Sequence, residues 1–210
     1  QQVDVSKKWY TIVNPVAGFG RGLEDLPLIT KLIRENDIPY ELVFSQHKHH
    51  VTELTVQAVN EGYRHIIVIG GDGTLHEVVN GLFIQTKVDV EGITVAVIPV
   101  GTGNDWIRMY GIPTNYSEAV RAIREGYTFM QDVGRVQYEE AHFRQVRYMA
   151  NVAGMGFDAA VIRRIGRKKL RRRLNAWTYI WTMIRTFFGH KSTGVKIWVD
   201  YVLVIGIIVL

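Results

Sequence analysis

Three glycines, an aspartate and a threonine form the stretch with the clearest capacity for chemistry, Gly70-Gly71-Asp72-Gly73-Thr74. Glycines leave no side chain between the backbone amides and a ligand, and they let the backbone take positive φ angles. Thr74 and Glu77 have the spacing of a capping box, which predicts that a helix begins here with its free N–H groups facing a phosphate. Asp72 would repel that phosphate unless a cation such as Mg²⁺ lay between them. The stretch therefore indicates a metal–nucleotide site, although it matches neither the P-loop nor the dinucleotide-binding pattern.

A buried strand and a helix must hold this loop, because residues 66–69 are all apolar and a helical pattern continues to Leu82. A second loop of glycine, threonine, asparagine and aspartate, residues 101–105, follows another apolar run at 93–98. In open α/β sheets the carboxyl ends of the strands border the ligand crevice. The two loops are therefore expected to converge on one cleft.

Alternating strand and helix patterns extend from Trp9 to Gly126 and predict a doubly wound parallel α/β domain over residues 1–126. The other strands and helices of this domain are predicted at 9–13, 40–44, 23–35 and 51–62. From residue 127 the pattern changes to two strands joined by a polar turn, as antiparallel pairing requires. These strands and their turn are predicted at 129–136, 147–152 and 139–142. We therefore expect a second, mainly antiparallel β domain over 127–210, incomplete in this sequence.

Composition indicates a globular protein that favours anionic partners. The 210 residues are 47% hydrophobic, which is ample for a core, and carry a formal net charge of +5. The absence of cysteine excludes disulfides and thiolate metal sites. We expect no signal peptide, because the first residues are polar, and the longest apolar run, 202–210, is too short to span a bilayer. A cytoplasmic protein is expected. No base-reading motif supports a nucleic-acid partner.

A histidine-rich tract, residues 45–50, superficially resembles a metal site. No acid or thiol stands at ligand spacing beside it, so we interpret the tract as a solvated loop.

Four stretches together resemble the diacylglycerol-kinase catalytic family, particularly its bacterial lipid-kinase branch, which is related to sphingosine kinases. They are Asn-Pro-Val-Ala-Gly at 14–18, the central loop at 70–74, Pro-Val-Gly-Thr-Gly-Asn-Asp at 99–105, and Asn-Val-Ala-Gly-Met-Gly-Phe-Asp-Ala at 151–159. The similarity extends from about Trp9 to Asp200. It implies a nucleotide-binding α/β domain and a β-rich lipid-substrate domain, with ATP and Mg²⁺ as cofactors. The central loop alone is also similar to that of NAD kinases and 6-phosphofructokinases.

The resemblance also implies which residues line the nucleotide. In the family the Asn-Pro segment borders the nucleotide, and a hydroxyl side chain, here that of Ser45, contacts it from the end of the second strand. The residues expected at the nucleotide are Asn14, Gly18, Ser45, Gly70, Gly71, Asp72, Gly73, Thr74, His76, Thr102 and Asn104. Asp105 is expected to help Asn104 shape the cleft.

Two acids are expected at the metal. Asp72 follows from the chemistry of the central loop, and Asp132 matches a family position that supports Mg²⁺ through water. Family members continue to a late acidic stretch that supplies the base for the substrate hydroxyl. No such stretch is present, so we assign no catalytic base and expect the residues after 200 to be truncated or joined across gaps.

The sequence is best interpreted as an ATP- and Mg²⁺-dependent lipid kinase that phosphorylates the hydroxyl of a diacylglycerol-like or sphingoid lipid. An NAD kinase is the alternative enzyme, and a non-catalytic nucleotide or anionic-lipid binding module is the alternative from another class. A basic run at 163–173 precedes an aromatic-rich helical pattern at 174–188, which could pack within the second domain or contact an anionic membrane. We expect peripheral membrane association, and an oligomer is possible.

Overall fold

The computed structural model describes residues 2–100, 104–140, 143–151, 181, 184–185, 193–199 and 202–208. The chain divides into two compact units, Gln1–Asn151 and Val152–Leu210. A four-stranded parallel sheet and a two-stranded antiparallel hairpin lie in the first unit, and another two-stranded sheet lies in the second. The expected α/β class with an additional antiparallel sheet is confirmed. The first hairpin shares a unit with the parallel sheet, and its assignment to a second domain stays a prediction.

Four parallel strands form the central sheet in the order β2-β1-β3-β4. They are β1 (Trp9–Val13), β2 (Tyr40–Phe44), β3 (His65–Gly70) and β4 (Thr94–Pro99). Ile12 of β1 lies opposite Val43 on one side and Val68 on the other. Parallel neighbours need long crossover connections, which the intervening helices supply.

Both faces of this sheet are buried. Successive side chains of a strand point to opposite faces, so β1 sends Tyr10 and Ile12 into one core and Trp9 and Val13 into another. All four side chains are at most 1% exposed. A parallel sheet covered on both faces is the doubly wound arrangement that the sequence predicts.

Helices connect the strands and cover both faces. They are α1 (Arg21–Glu24), α2 (Leu26–Glu35), α3 (His50–Asn60), α4 (Asp72–Ile84), α5 (Asp105–Met109) and α6 (Tyr116–Glu125), with 3₁₀ turns at Ala17–Gly20 and Val90–Gly92. The single helix predicted at 23–35 is two helices. Pro27 is the second residue of α2, and it has no N–H to continue the hydrogen bonds of α1. Gly62 follows α3 with φ +97°, the left-handed conformation expected after a helix end.

The antiparallel hairpin comprises β5 (Gly134–Glu140) and β6 (Phe143–Met149). The sequence predicts the hairpin but misplaces its strands, because neither strand has a strict apolar alternation that marks its ends. Asn80 of α4 docks the hairpin: its Nδ2 donates to Tyr148 O at 2.9 Å, and Tyr148 N donates to its Oδ1 at 3.0 Å. The Phe83 and Tyr148 rings stack beside these bonds, with centroids 4.5 Å apart. The hairpin is therefore fixed to the helix that follows the glycine loop.

The second unit contains the antiparallel pair β7 (Thr193–Val199) and β8 (Val202–Ile208). A strand is predicted from 196 to 200, and β7 includes most of it. The basic run at 163–173, the match at 152–159 and most of the helical pattern at 174–188 lie outside the described residues. Among the described helices, none is both long and apolar enough to cross a membrane.

Candidate functional site

The candidate site lies where the chain reverses its direction of travel across the sheet. From β1 the chain moves outward to β2, and it then returns to the other side of β1 to form β3 and β4. The loops after β1 and β3 therefore diverge at the carboxyl edge between these two strands. Ligands bind at such topological switch points in open α/β sheets.

The loop after β3 leads directly into α4. Gly71 is the N-cap residue, with extended backbone angles of φ −121° and ψ −166°, and the helix begins at Asp72. None of Gly70, Gly71 and Gly73 adopts the positive φ that glycine permits. The predicted capping box is wrong, because Thr74 lies inside the first turn and no side chain caps the helix. The N-terminal N–H groups of α4 instead face the loop without a side-chain cap, as an anion site requires.

Close packing explains two of the three glycines. A Cβ at Gly70 would lie 2.6 Å from Cβ of Thr74, and a Cβ at Gly71 would lie 3.1 Å from Oδ1 of Asn104. A Cβ at Gly73 would meet no described atom within 4 Å. Neither a positive φ nor packing within the described chain requires glycine at position 73.

Asn14 ties the loop after β1 to the glycine loop. Its Nδ2 donates to Oγ1 of Thr74 at 3.0 Å, and its backbone N–H donates to the carbonyl of Ile69 at 3.1 Å. Thr74 is only 4% exposed. Its hydroxyl is therefore fixed at the carboxyl ends of β1 and β3. Ser45 lies at the adjacent strand end, where its N–H donates to the carbonyl of Val13 at 2.9 Å.

The turn that follows Asn14 adopts an unusual backbone. Gly18, Phe19 and Gly20 have φ angles of 59°, 63° and 102° in succession. Glycine tolerates this left-handed region, but a phenylalanine does so at a cost of about 1–3 kcal/mol. The Phe19 side chain is 55% exposed and does not offset that cost through burial. The turn bordering the switch point thus has a conformation that its own side chains do not favour.

Asp72 joins the two loops that the sequence predicts to converge. Its carboxylate oxygens accept the backbone N–H groups of Asp105 at 2.9 Å and Trp106 at 3.2 Å. These are the first two residues of α5, so Asp72 caps a helix that begins 33 positions later in the chain. Asn104, just before it, is buried and left-handed with φ 51°. Sequence patterns could not have revealed this long-range cap.

The model of the diacylglycerol kinase catalytic domain matches residues 8–136, which include the whole parallel sheet and the contacts of the glycine loop with Asn14 and α5. The chain belongs to this family.

Relatives in the family are named for lipid substrates. The diacylglycerol kinase of Staphylococcus carnosus (strain TM300) is 32% identical over 150 residues, covering 71% of this chain and 45% of that protein. Sphingosine kinase B of Dictyostelium discoideum is 29% identical over 133 residues, covering 63% of this chain and 17% of that protein. A solved diacylglycerol kinase from Bacillus anthracis str. Sterne is 31% identical with a TM-score of 0.50, covering 62% of this chain and 44% of that one. The chain spans about half the length of the curated relatives it matches.

A second network extends from α5 of this kinase-family domain toward the hairpin. The indole Nε1–H of Trp106 donates to Oε1 of Gln131 at 2.8 Å, and Nε2 of Gln131 donates to the carbonyl of Ala150. Asp132, the next residue, is exposed. The family resemblance singles out Asp132 as a metal residue. No sequence pattern predicts that the adjacent Gln131 makes these two hydrogen bonds.

His76 lies one helical turn after Asp72 and is exposed. Partial desolvation of the ring, and secondly the positive charge of Arg147, lower its pKa below the ordinary 6.5. Asn80 Nδ2 lies 3.4 Å from its Nε2. The imidazole is therefore favoured as a neutral group beside the hairpin.

The histidine-rich tract has an acid near it after all. One ligand atom from each of His47, His50 and Glu53 lies within 4.8 Å of the others, so the expectation that no acid stands at ligand spacing is wrong. The rings of His47 and His50 nevertheless stack at 4.4 Å, and Nδ1 of His50 already accepts the N–H of Gln46 at 2.9 Å. Nδ1 of each histidine is therefore already engaged within the tract, near Lys48 O for His47 and with Gln46 N for His50.

The structure brings some expected site residues into mutual contact and leaves others apart. Asn14, Gly70 and Thr74 form one contacting group. Gly71 and Asp72 form another with Asn104 and Asp105, which lie where the loop after β4 meets α5. Gly18 and Ser45 lie in the adjoining loops after β1 and β2. Thr102 lies outside the described residues. The nucleotide and metal roles of all these residues stay predictions.

Proposed function

We propose that this chain is the nucleotide-binding portion of an ATP- and Mg²⁺-dependent kinase that phosphorylates the hydroxyl of a diacylglycerol-like or sphingoid lipid. One observation carries the proposal: Asp72, at the first turn of α4, fastens the glycine loop to the start of α5 at the switch point of the sheet. Membership of the family and the printed names of its relatives support a lipid as the acceptor.

The first turn of α4 has the features of a phosphate site. Its N–H groups have no side-chain cap, and the helix dipole adds positive potential there. The direction that a Cβ would take from Gly73 is open, so a phosphate could approach the backbone closely at that point. Thr74 would add a hydroxyl that Asn14 already orients. Phosphoryl transfer depends mainly on such positioning and on neutralising charge.

The acids fit a hard divalent cation. An ionised carboxylate has about four lone-pair positions, and Asp72 uses two of them to cap α5, so oxygen lone pairs remain for a metal or its water ligands. We assign Mg²⁺ to Asp72, with Asp132 as support. The ion would offset the negative charge on the phosphate oxygens when bound. Asp72 would thus hold the metal and both loops together.

The rest of the nucleotide would lie across the loops that follow β1, β2 and β4. We assign its contacts to Asn14, Gly18, Ser45, Thr102 and Asn104, with His76 at the hairpin side of the first turn. The left-handed turn at Gly18 and Phe19 supports this assignment, since strained backbone conformations cluster at ligand sites.

A transfer assay on the full-length protein tests the proposal. The protein is incubated with γ-labelled ATP and Mg²⁺ beside three acceptors: diacylglycerol in mixed micelles, sphingosine in the same micelles, and NAD. We expect label in one lipid product, dependent on Mg²⁺. Transfer to NAD alone would reject a lipid acceptor, and calorimetric binding of ATP without any transfer would favour a non-catalytic module.

We also propose that the full-length protein associates peripherally with anionic membranes through the basic run. Each basic residue near an anionic surface contributes about 1 kcal/mol. Changing Arg171, Arg172 and Arg173 together to Glu should therefore lower co-sedimentation with phosphatidylglycerol vesicles by at least about a hundredfold. Vesicles of phosphatidylcholine provide the control, and unchanged binding to the anionic vesicles would reject the idea.

A further inference from the structure

Gln131 is a polar side chain whose two ends are both engaged. Its Oε1 accepts the indole N–H of Trp106, and its Nε2 donates to the carbonyl of Ala150. Trp106 is 7% exposed and belongs to the core, so the amide is tied to a fixed ring. Gln131 therefore bridges α5 to the residues that follow β6.

The same tryptophan bonds Asp72 through its backbone. Asp72 Oδ1 accepts the N–H of Trp106 at 3.2 Å, and the Trp106 side chain reaches Gln131 at 2.8 Å. Trp106 thus links the Asp72 carboxylate to Gln131 through two hydrogen bonds, and Asp132 is the residue that follows Gln131. The Asp132 side chain is exposed, and its backbone is attached to the anchored Gln131.

We infer that Gln131 is a positioning residue that holds Asp132 at the metal served by Asp72. The inference rests on the proposed function, which supplies the Mg²⁺ and the role of Asp132. Outer partners that orient metal-binding side chains typically change metal affinity by about 10–100-fold when they are removed. Gln131 would act in that way through the backbone rather than through a direct bond to the carboxylate.

A purely structural role for Gln131 makes a different prediction. A bridge that only stabilises the fold would lower the free energy of unfolding and leave the metal dependence of nucleotide binding unchanged. The quantity that separates the two roles is the ratio of the ATP dissociation constant in EDTA to that in Mg²⁺. That ratio reports the coupling between metal and nucleotide.

Gln131→Met is the test variant, because it keeps the side-chain length and removes both hydrogen bonds. Calorimetry of the full-length protein should show the Mg²⁺ enhancement of ATP affinity reduced by about tenfold, with ATP binding in EDTA unchanged. Trp106→Phe removes the indole N–H and keeps an aromatic ring against Tyr110 and Phe129. Trp106→Phe should reduce the Mg²⁺ enhancement in the same way, because it removes the hydrogen bond from the Trp106 side. It provides the test if Gln131→Met does not fold.

Gln85→Met is the matched control. Gln85 is also a buried amide with several backbone hydrogen bonds, but it lies at the opposite end of α4. Its loss should lower the melting temperature and leave the Mg²⁺ enhancement unchanged.

A double-mutant cycle with Asp132→Asn completes the experiment. If Gln131 acts through Asp132, the double variant should lose no more Mg²⁺ enhancement than Asp132→Asn alone, because interacting sites are not additive. Additive losses, or an unchanged ratio in both Gln131→Met and Trp106→Phe, would overturn the inference while leaving the proposed function intact. A wild-type protein whose ATP affinity is indifferent to Mg²⁺ would overturn both.

Discussion

The two edges of the parallel sheet are built on opposite principles. At the amino edge, polar side chains satisfy one another: Nζ of Lys8 lies 2.6 Å from Oε2 of Glu41, which also accepts the Tyr63 hydroxyl at 2.5 Å. Trp9 and His65 pack edge to face beside them, with ring centroids 5.0 Å apart. Most polar groups at this edge are paired within the chain, although the buried indole N–H of Trp9 has no hydrogen-bond partner among the described residues.

At the carboxyl edge, the loops adopt unusual backbone conformations. Of the four non-glycine residues with positive φ in the described chain, three lie in the loops after β1, β2 and β4: Phe19, His49 and Asn104. The first turn of α4 has no side-chain cap, and Gly73 faces open space among the described residues. Sparsely populated backbone conformations of this kind cluster at ligand sites.

The contrast separates residues that maintain the fold from residues that serve the site. Changes at the amino edge should alter stability and leave nucleotide binding unaffected. Changes at the carboxyl edge should do the reverse, except at Asp72, which connects two loops and also carries the proposed metal. The variants below test this division.

Asp72→Asn should have the largest effect. The amide keeps the shape and can accept one of the two N–H groups of α5, so the loss of half a cap should cost about 1 kcal/mol of stability. Removing a charge that would hold Mg²⁺ should lower kcat by about 10²–10³-fold, as for other electrostatic groups in active sites. The comparison requires steady-state kinetics of the full-length enzyme together with its urea unfolding curve.

Glu41→Gln is the amino-edge counterpart of that substitution. It removes a carboxylate that pairs with Lys8, and kcat should not change. Wild-type turnover in the Asp72→Asn variant, or a comparable loss in both variants, would contradict the division between the edges.

The sequence predicted the strands and the switch-point loops well, because long buried strands and glycine loops have local signals. Residues 66–69 read as a buried strand and form one, and the alternation up to Gly126 gives the correct parallel sheet. The convergence of the loops at 70–74 and 101–105 was also expected. Asp72 does contact the start of α5, which follows the second loop.

What the sequence missed depends on tertiary contacts. The reason for Gly70 is the nearby Thr74 side chain rather than a positive φ, and local reasoning could not distinguish the two. The cap from Asp72 to α5, the bridge through Gln131 and the docking of Tyr148 on Asn80 each join residues 19 or more positions apart. Amide side chains have no sequence periodicity that marks such partners.

Gly81→Ala should have the next largest effect, and that effect should be on stability. Gly81 lies near the C-terminal end of α4, where a new Cβ would meet Thr55 Cβ at 2.6 Å and Thr52 O at 2.8 Å. Overpacking of this kind costs about 1–3 kcal/mol. Urea unfolding should show the loss, whereas ATP affinity of the folded protein should remain within about twofold of wild type. An unchanged unfolding midpoint would contradict this prediction, because it would mean that α3 and α4 can move apart to admit the methyl group without loss of stability.

Gly73→Ala is the matched change at the other end of the same helix. Its Cβ meets no described atom, and alanine has the higher helix propensity by up to about 1 kcal/mol, so stability should be unchanged or slightly greater. A methyl group in the path of a phosphate should weaken ATP binding by about tenfold, or 1.4 kcal/mol. Calorimetry with Mg²⁺ and ATP measures this difference. Wild-type affinity in a stable Gly73→Ala variant would contradict the placement of a phosphate at the first turn of α4.

The smallest effect concerns His65 at the amino edge, where burial and not ligand binding should set the pH dependence. Desolvation, and secondly the charge of Lys7, lower the pKa of His65 below its ordinary 6.5, against a smaller opposing effect of Asp4. The unfolded chain therefore binds a proton near pH 6.5 that the folded chain takes up only at lower pH, so stability is lost as the pH falls through that window. Unfolding free energies measured between pH 7.5 and 5 should fall less steeply in His65→Gln than in wild type. His76, whose pKa is also lowered, should leave part of the slope in place. An identical slope in His65→Gln would mean that the buried imidazole takes up its proton as easily in the folded protein as in the unfolded chain.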